Sequence, residues 1–293
     1  MNWDDLRYYI AVARTKSLSE AARLLRVSPS TVSRRIDEFE QSLGNELFKR
    51  KQNGYDLNEA GTTLLPFAEQ AEAHMLWLER SASQSDENIA GTVRLAVPEL
   101  LGQYMVIPGL EGFLKENPEL KIEIITDVRS TRLTKGDADI LIRLNRPSQG
   151  GYTIQKIGVI PQHLYASKDY LKDAGTPKVS DDLVSHRLIG WDTELSYLPL
   201  AQYLEDRHGD PQVYFRTGSF HSQLMAVRSN LGIAALPQFV AEMFNLQKVL
   251  EQDSGLESEI WLMKRSDSRR FKRVNAIADA IIKIVSNRLS DLE

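Results

Sequence analysis

The chain has 293 residues, 42% hydrophobic and 26% charged, with a net charge of −4 and no cysteine. That length suits two or three modules and the composition excludes collagen-like and disordered classes, while the missing cysteines exclude a disulfide framework, a thiol nucleophile, a thiol redox sensor and a thiolate metal site. Apolar runs stop far short of the ~20 residues of a spanning helix, and the start Met1-Asn2-Trp3-Asp4-Asp5 lacks the basic-then-apolar pattern of a secretory signal, so a cytoplasmic protein with no membrane partner is expected.

The first elements are helical. Trp3, Leu6, Ile10 and Ala13 recur at helical steps, which predicts a helix from about Asp4 to Ala13, with Asn2 as its cap. Ser17-Leu18-Ser19-Glu20 reads as a capping box opening a second helix whose Ala21, Ala22 and Leu25 allow close packing. Ser28 caps a third, with Pro29 at its first position.

The third helix carries the strongest signal. Val32, Ile36, Phe39 and Leu43 form one apolar stripe, and Ser30, Thr31, Ser33, Arg34 and Arg35 fall outside it. From Arg23 to Arg35 there are four arginines and no acid, whereas Asp37, Glu38 and Glu40 occupy the later turns. That polarity predicts that the helix's first two turns enter a DNA major groove. Arginine there reads guanine or holds a phosphate, and the residues do not decide between them. A plain three-helix core with a solvated polar face is the competing reading. Next, Asn53-Gly54 is a hairpin signal between strand-like pieces, making a small wing. Its basic arm, Lys49-Arg50-Lys51, gives Arg50 and Lys51 reach to a phosphate or the minor groove.

The run Leu18-Ser19-Glu20-Ala21-Ala22-Arg23-Leu24-Leu25-Arg26-Val27-Ser28-Pro29-Ser30-Thr31-Val32-Ser33-Arg34-Arg35-Ile36 resembles the LysR-type transcriptional regulators. So do Glu40, Leu43, Gly44, Leu47-Phe48-Lys49-Arg50 and Leu57-Asn58-Glu59-Ala60-Gly61. Two positions depart from the family. Pro29 stands where a polar residue, often Gln, is usual, and Asn58 where Thr is common, although both cap helices. DNA contacts are therefore expected from Ser28, Ser30, Thr31, Ser33, Arg34, Arg35, Arg50 and Lys51.

Asn58 caps a further helix. Gly61, Leu64, Ala68, Ala71, Met75, Leu78 and Ala82 step by three and four, a heptad seam. The same spacing suits a helix packed on its own domain. The resemblance favours a dimerising linker helix, with Leu64, Ala68, Ala71, Met75 and Leu78 in the seam. The helix is expected to give way before the polar, hinge-like run Ser81-Ala82-Ser83-Gln84-Ser85-Asp86.

From Thr92 onward strands and helices alternate, implying a mainly parallel sheet covered by helices. Strands are expected at Thr92–Val97, Lys121–Thr126, Ile140–Ile142, Leu164–Ala166, Leu188–Gly190, Val213–Phe215, Gly232–Pro237 and Trp261–Met263, and a last helix through Val274, Ile277, Ile281, Ile284 and Leu289. The runs Gly136-Asp137-Ala138-Asp139 and Leu231-Gly232-Ile233-Ala234-Ala235-Leu236-Pro237 match the family's regulatory domain. The resemblance implies two α/β lobes like those of periplasmic binding proteins, with a ligand cleft between them. The expected fold class is thus α/β overall. It comprises an N-terminal winged helix-turn-helix (1–58), a long dimerising linker helix and hinge (59–90) and a two-lobed effector-binding domain (91–293). Lobe 1 covers about 91–160 and 265–293, and lobe 2 about 161–264.

Ligands in such sheets sit beyond the carboxyl ends of strands, at helix N-termini. That nominates Glu99, Leu100, Gln103, Arg143, Phe220, His221 and Ser222 for an effector. Family members often place Ser or Thr near Glu99 to bind an effector carboxylate; Glu99 repels one unless a cation such as Arg143 compensates. His163, His186 and His208 lack metal-ligand spacing, and neither a metal nor a cofactor is expected. The partners expected are double-stranded DNA, a small-molecule effector and further copies of the chain, as dimers and tetramers. The alternative is a cytoplasmic small-molecule-binding protein or an enzyme using the α/β region. No G-x-S-x-G, Walker loop, H-E-x-x-H or clean dinucleotide fingerprint supports an enzyme.

Overall fold

The computed structural model describes residues 3–51, 54–82, 89–126, 138–147, 152–208, 213–266, 268 and 271–290. The Asn2 cap, Asn53 of the hairpin turn, residues 83–86 of the expected hinge, Gly136-Asp137 and the side chains of Leu78 and His208 lie outside the described residues, while Ser81 and Ala82, expected in that hinge, continue a helix over Glu59–Ala82. The described chain falls into two compact units, one ending at residue 82 and one beginning at residue 89. No described helix is long and apolar enough to cross a membrane.

The first unit holds α1 (Trp3–Thr15), α2 (Leu18–Leu25), α3 (Pro29–Leu43), the hairpin β1 (Phe48–Lys51) and β2 (Gly54–Leu57), and α4 (Glu59–Ala82). Its helix boundaries follow local chemistry. Ser17 Oγ accepts from the Glu20 amide and Ser28 Oγ from the Thr31 amide, each satisfying a donor the helix leaves free. Arg26 and Gly44 end α2 and α3 in the left-handed conformation. The stripe Val32, Ile36 and Phe39 is buried against Tyr9, Ile10 and Val12 of α1 and Ala21 and Ala22 of α2. Gly54 has φ +143°, and a Cβ there would lie 2.4 Å from the Lys16 carbonyl, so only glycine lets the wing close on α1. The Tyr55 amide donates to that same carbonyl at 2.9 Å.

The expected seam of α4 turns out to face its own unit. Ala68 is 2% exposed, and Leu64, Leu65 and Ala71 pack against the same core. A Cβ on Gly61 would lie 2.2 Å from the Leu47 carbonyl, so that glycine serves the approach of α4 to the wing. Tyr9 Oη donates to the Gly61 carbonyl at 2.6 Å, and Arg14 bridges to Glu72 at 2.7 Å and Glu69 at 3.4 Å. An apolar stripe is indifferent to whose surface covers it. Here α1 of the same chain covers its first half. Met75 is half-buried further along, and Phe67, on the flank of the stripe, is 65% exposed.

In the second unit β3 (Gly91–Val97) leads into successive helical turns. These are α5 (Glu99–Leu101), a π turn over Gly102–Val106, α6 (Ile107–Gly109) and α7 (Glu111–Glu116). Then come β4 (Leu120–Thr126), β5 (Ile140–Arg143), β6 (Tyr152–Ala166), α8 (Lys168–Ala174), β7 (Leu188–Trp191), α9 (Pro199–His208), β8 (Val213–Thr217) and α10 (Phe220–Arg228). The unit ends with β9 (Ala234–Pro237), α11 (Gln238–Met243), β10 (Gln247–Lys248), β11 (Leu256–Arg265) and α12 (Lys272–Ser290).

The expectation of a mainly parallel sheet is corrected here. Among the described strands β3–β4, β3–β5 and β7–β8 pair in parallel, whereas β5–β11, β6–β11, β6–β9 and β6–β10 are antiparallel. The cause is two long strands. β6 runs 15 residues; its stretch Tyr152–Gln162 pairs with β11, and its end, from Gln162, pairs with β9 and β10. Polar residues such as Gln155, Lys156, Glu257 and Glu259 break the apolar pattern of both strands, which hides their length in the sequence.

Tyr9 ties the first unit together and gives it a pH signature. Burial, then the Glu69 carboxylate, pushes its phenol from 10.0 up to about 12. Tyr165 in the second unit is likewise pushed to about 12, by burial and then Glu242. A phenol that ionises less readily folded than unfolded contributes stability that is whole below pH about 10 and is lost as pH rises through about 12. The Tyr9→Phe variant should be less stable at neutral pH by about 1 kcal/mol, since the Gly61 carbonyl loses its donor. It should also lose less further stability than wild type on titration from pH about 9 to about 12, read by denaturant unfolding.

Candidate nucleic-acid interface and ligand cleft

The N-terminal end of α3 presents a compact polar group. Ser28 Oγ lies 2.8 Å from both Ser30 Oγ and Thr31 Oγ1 and accepts the Thr31 amide at 3.2 Å. Ser28 and Ser30 are exposed, and Thr31 and Ser33 half-buried. These hydroxyls are short donors and acceptors carried on a capped, rigid helix end.

Arg34 and Arg35 are adjacent in sequence and differ in surroundings. The Arg34 side chain is 64% exposed and pairs with Glu38 one turn on, at 3.0 Å. Such an exposed pair stabilises by less than about 1 kcal/mol and yields readily to a phosphate or a base edge. Arg35 is 28% exposed, donates at 3.1 Å to Asp5 of α1, which is 8% exposed, and lies over the Tyr8 ring. The geometry makes Arg35 a strut between α1 and α3.

The acids of α3 also have work within the unit. Glu40 Oε1 accepts the amides of Leu47 at 2.6 Å and Phe48 at 3.1 Å, holding the start of the wing. Asp37 pairs with Arg50, whose guanidinium also lies over the Tyr55 ring. Tyr55 holds the Arg50 charge more firmly than usual; burial opposes it, and Asp37 and then Glu40 add to the rise. Lys51 pairs with Asp56 across the hairpin, and Lys49 is exposed. Asp37 and Glu40 hold the wing against the C-terminal half of α3, and no acidic residue lies between Pro29 and Ile36.

In the second unit the parallel strands β4, β3 and β5 end at one edge, because parallel strands share a direction. The chain leaves β3 for β4 on one side and returns to β5 on the other, so that edge is a switch point of the kind that holds ligands. Glu99 opens α5 there, and Arg143 ends β5 at the same edge. Burial lowers the Arg143 guanidinium from its usual range.

The structure brings Glu99 to Phe220 and His221. Its Oε2 accepts the Phe220 amide at 2.8 Å and the His221 amide at 3.4 Å, and its Oε1 accepts from Ser219 Oγ at 3.0 Å. Ser222 donates its amide to Ser219 Oγ as part of the α10 cap, while Leu100 is buried in the core and has no side-chain face for a ligand. Gln103 is half-buried. Sequence reasoning missed Tyr104 and Phe244. Tyr104 Oη lies 2.9 Å from His221 Nδ1, with the two rings stacked, and its edge meets Phe244. Burial raises the Tyr104 phenol, Arg228 opposes, and Glu99 adds to the rise. The π turn sets the position of Tyr104, and no periodicity in the sequence announces it.

Comparisons with known proteins agree with this two-part layout. Residues 3–62 match the model of the bacterial regulatory helix-turn-helix protein, lysR family, and residues 86–284 that of the LysR substrate binding domain. The chain is 28% identical over its whole length to the Mau operon transcriptional activator of Paracoccus denitrificans, covering 96% of that protein. It is 26% identical to the probable HTH-type transcriptional regulator LtrA of Klebsiella pneumoniae, covering 96% of this chain and 94% of that one. Its fold resembles the full-length virulence activator AphB of Vibrio cholerae, with TM-score 0.62 and 20% identity over 97% of this chain and 99% of that one. The chain belongs to the LysR family and is a DNA-binding transcription regulator of LysR type with an effector-binding domain.

Proposed function

We propose that this chain reads DNA with the first two turns of α3 and answers to a small molecule in the cleft beside Glu99. The observation that carries the reading is the exposed, acid-free N-terminal end of α3, with Ser30, Thr31, Ser33 and Arg34 around one cap. Ser28 organises that cap. Arg35 sets the tilt of the helix through Asp5. Arg50 and Lys51 exchange their carboxylate partners for phosphates flanking the groove. Two copies place their α3 helices in successive major grooves, about 34 Å apart, on a near-palindromic site.

In this reading the chain acts in the cytoplasm, and the cleft binds and does not transform. The effector shifts the population of dimer and tetramer arrangements, which changes DNA bending and transcription. The dimer contact on α4 is placed on the flank of the stripe that includes Leu64, Ala68 and Ala71, at the exposed ring of Phe67, since Ala68 is buried in its own unit. A large exposed aromatic on a long helix is a natural anchor for a helix partner.

Several measurements test these assignments. The Arg34→Ala variant should bind its specific site more weakly by ~1–3 kcal/mol in a gel shift if Arg34 reads a base; an equal loss on all DNA sequences assigns it to phosphate. The salt dependence of binding should lose about 0.9 from its log–log slope for each phosphate contact removed, as in Lys51→Ala. The Asp5→Ala variant should lose stability and bind all DNA sequences less well, because it unpins Arg35 in a half-buried site. For the dimer, Phe67→Asp should shift sedimentation toward the monomer with the melting of the first unit unchanged. Ala68→Asp should lower melting in its place; dissociation by Ala68→Asp alone returns the contact to the original seam.

A further inference from the structure

We propose that Glu99 is a tethered anion that fills the helix N-terminus of the cleft and thereby bars anionic effectors from this protein. The inference rests on the reading of that cleft as the effector site. A helix N-terminus offers free amides and a partial positive charge, and it takes up a carboxylate or another anion wherever one reaches it. The end of α10 is such a terminus, nine residues from Phe220 to Arg228, capped by Ser219. In this chain the amides of Phe220 and His221 and the hydroxyl of Ser219 all point at one carboxylate, and that carboxylate is the chain's own.

Both oxygens of Glu99 are engaged, Oε1 by Ser219 and Oε2 by the two amides. An incoming carboxylate would have to displace Glu99 and leave its charge beside the newcomer, a like-charge pair in a half-buried site. The contact also joins segments 120 residues apart, from the end of β3 to the start of α10. A second bridge stands alongside, Tyr104 to His221 at 2.9 Å. The cleft is therefore latched by the protein itself. The molecule that completes it carries a neutral or cationic recognition group, which accommodates the Glu99 charge instead of competing with it.

The experiment uses the full chain with Glu99→Ala and Glu99→Gln, and probes it with sodium acetate and sodium sulfate against sodium chloride at matched ionic strength. In chloride, Glu99→Ala should melt lower by about 4 °C or more, since several charge-assisted bonds are lost together. Acetate or sulfate at millimolar concentration should restore part of that loss, because a free anion now reaches the α10 amides. Wild type should show no anion-specific shift. Glu99→Gln keeps the shape but only one acceptor oxygen, so it should melt between the two; this variant serves if Glu99→Ala does not fold. The proposal is overturned if wild type responds to acetate as strongly as Glu99→Ala does, if wild type binds dicarboxylates tightly in calorimetry, or if both variants melt like wild type. The underlying cleft reading fails separately, when a panel of neutral, amine-bearing and anionic metabolites gives no heat with wild type. The anion response of Glu99→Ala is still read in that case.

Discussion

Tyr9 is the point on which the DNA-binding unit turns. Its ring lies 5.7 Å from Phe39 of α3 and 5.5 Å from Phe48 of the wing, and its hydroxyl holds the Gly61 carbonyl at the start of α4. One buried side chain thus touches the recognition helix, the wing and the linker helix. Aromatic contacts of this kind fix angles as well as contribute burial energy. The tilt of α3 relative to the wing, which decides whether both fit one stretch of DNA, follows from that packing.

Around this core the charges are sorted. Acids that looked like a repulsive face on α3 are used for anchoring: Glu40 caps the chain entering β1, Asp37 restrains Arg50, and Glu38 shares Arg34 and Arg35. A net charge of −4 is compatible with DNA binding because these carboxylates are turned to structural use behind the contact surface. The result is a helix end bearing hydroxyls and one exposed arginine.

The second unit is organised by a different constraint, the shared strands β6 and β11. β11 joins β5 to β6, and the far end of β6 carries β9 and β10, so one continuous strand links the strands around Glu99 to those beside α10. Glu99 sits where β3 ends, and its partners sit where α10 begins. A ligand that altered that contact would act on both halves at once, which is how a small molecule obtains leverage over a protein's population of states.

Much of this was legible in the residues. Ser17 and Ser28 announce helix starts, Gly44 a helix end, and Val32, Ile36 and Phe39 a buried stripe, because caps and periodicity are local properties of a chain. The presence of a helix-turn-helix and of an α/β domain followed from them. What lay beyond reach were matters of partnership. The stripe on α4 is the same whether α1 or a second copy covers it. Arg35 reads like Arg34 until Asp5 comes within 3.1 Å, and the lengths of β6 and β11 appear only once they pair with each other. Glu99 was visible as a charge out of place, but not that three donors from the far side of the cleft would take both its oxygens. The sequence by itself determined where the helices of the first unit begin and that one end of α3 is free of acids. Tertiary structure decided which side chains are spent on the protein's own cohesion and which remain for DNA or a ligand, because contacts between residues distant in the chain are set by packing and not by local spacing.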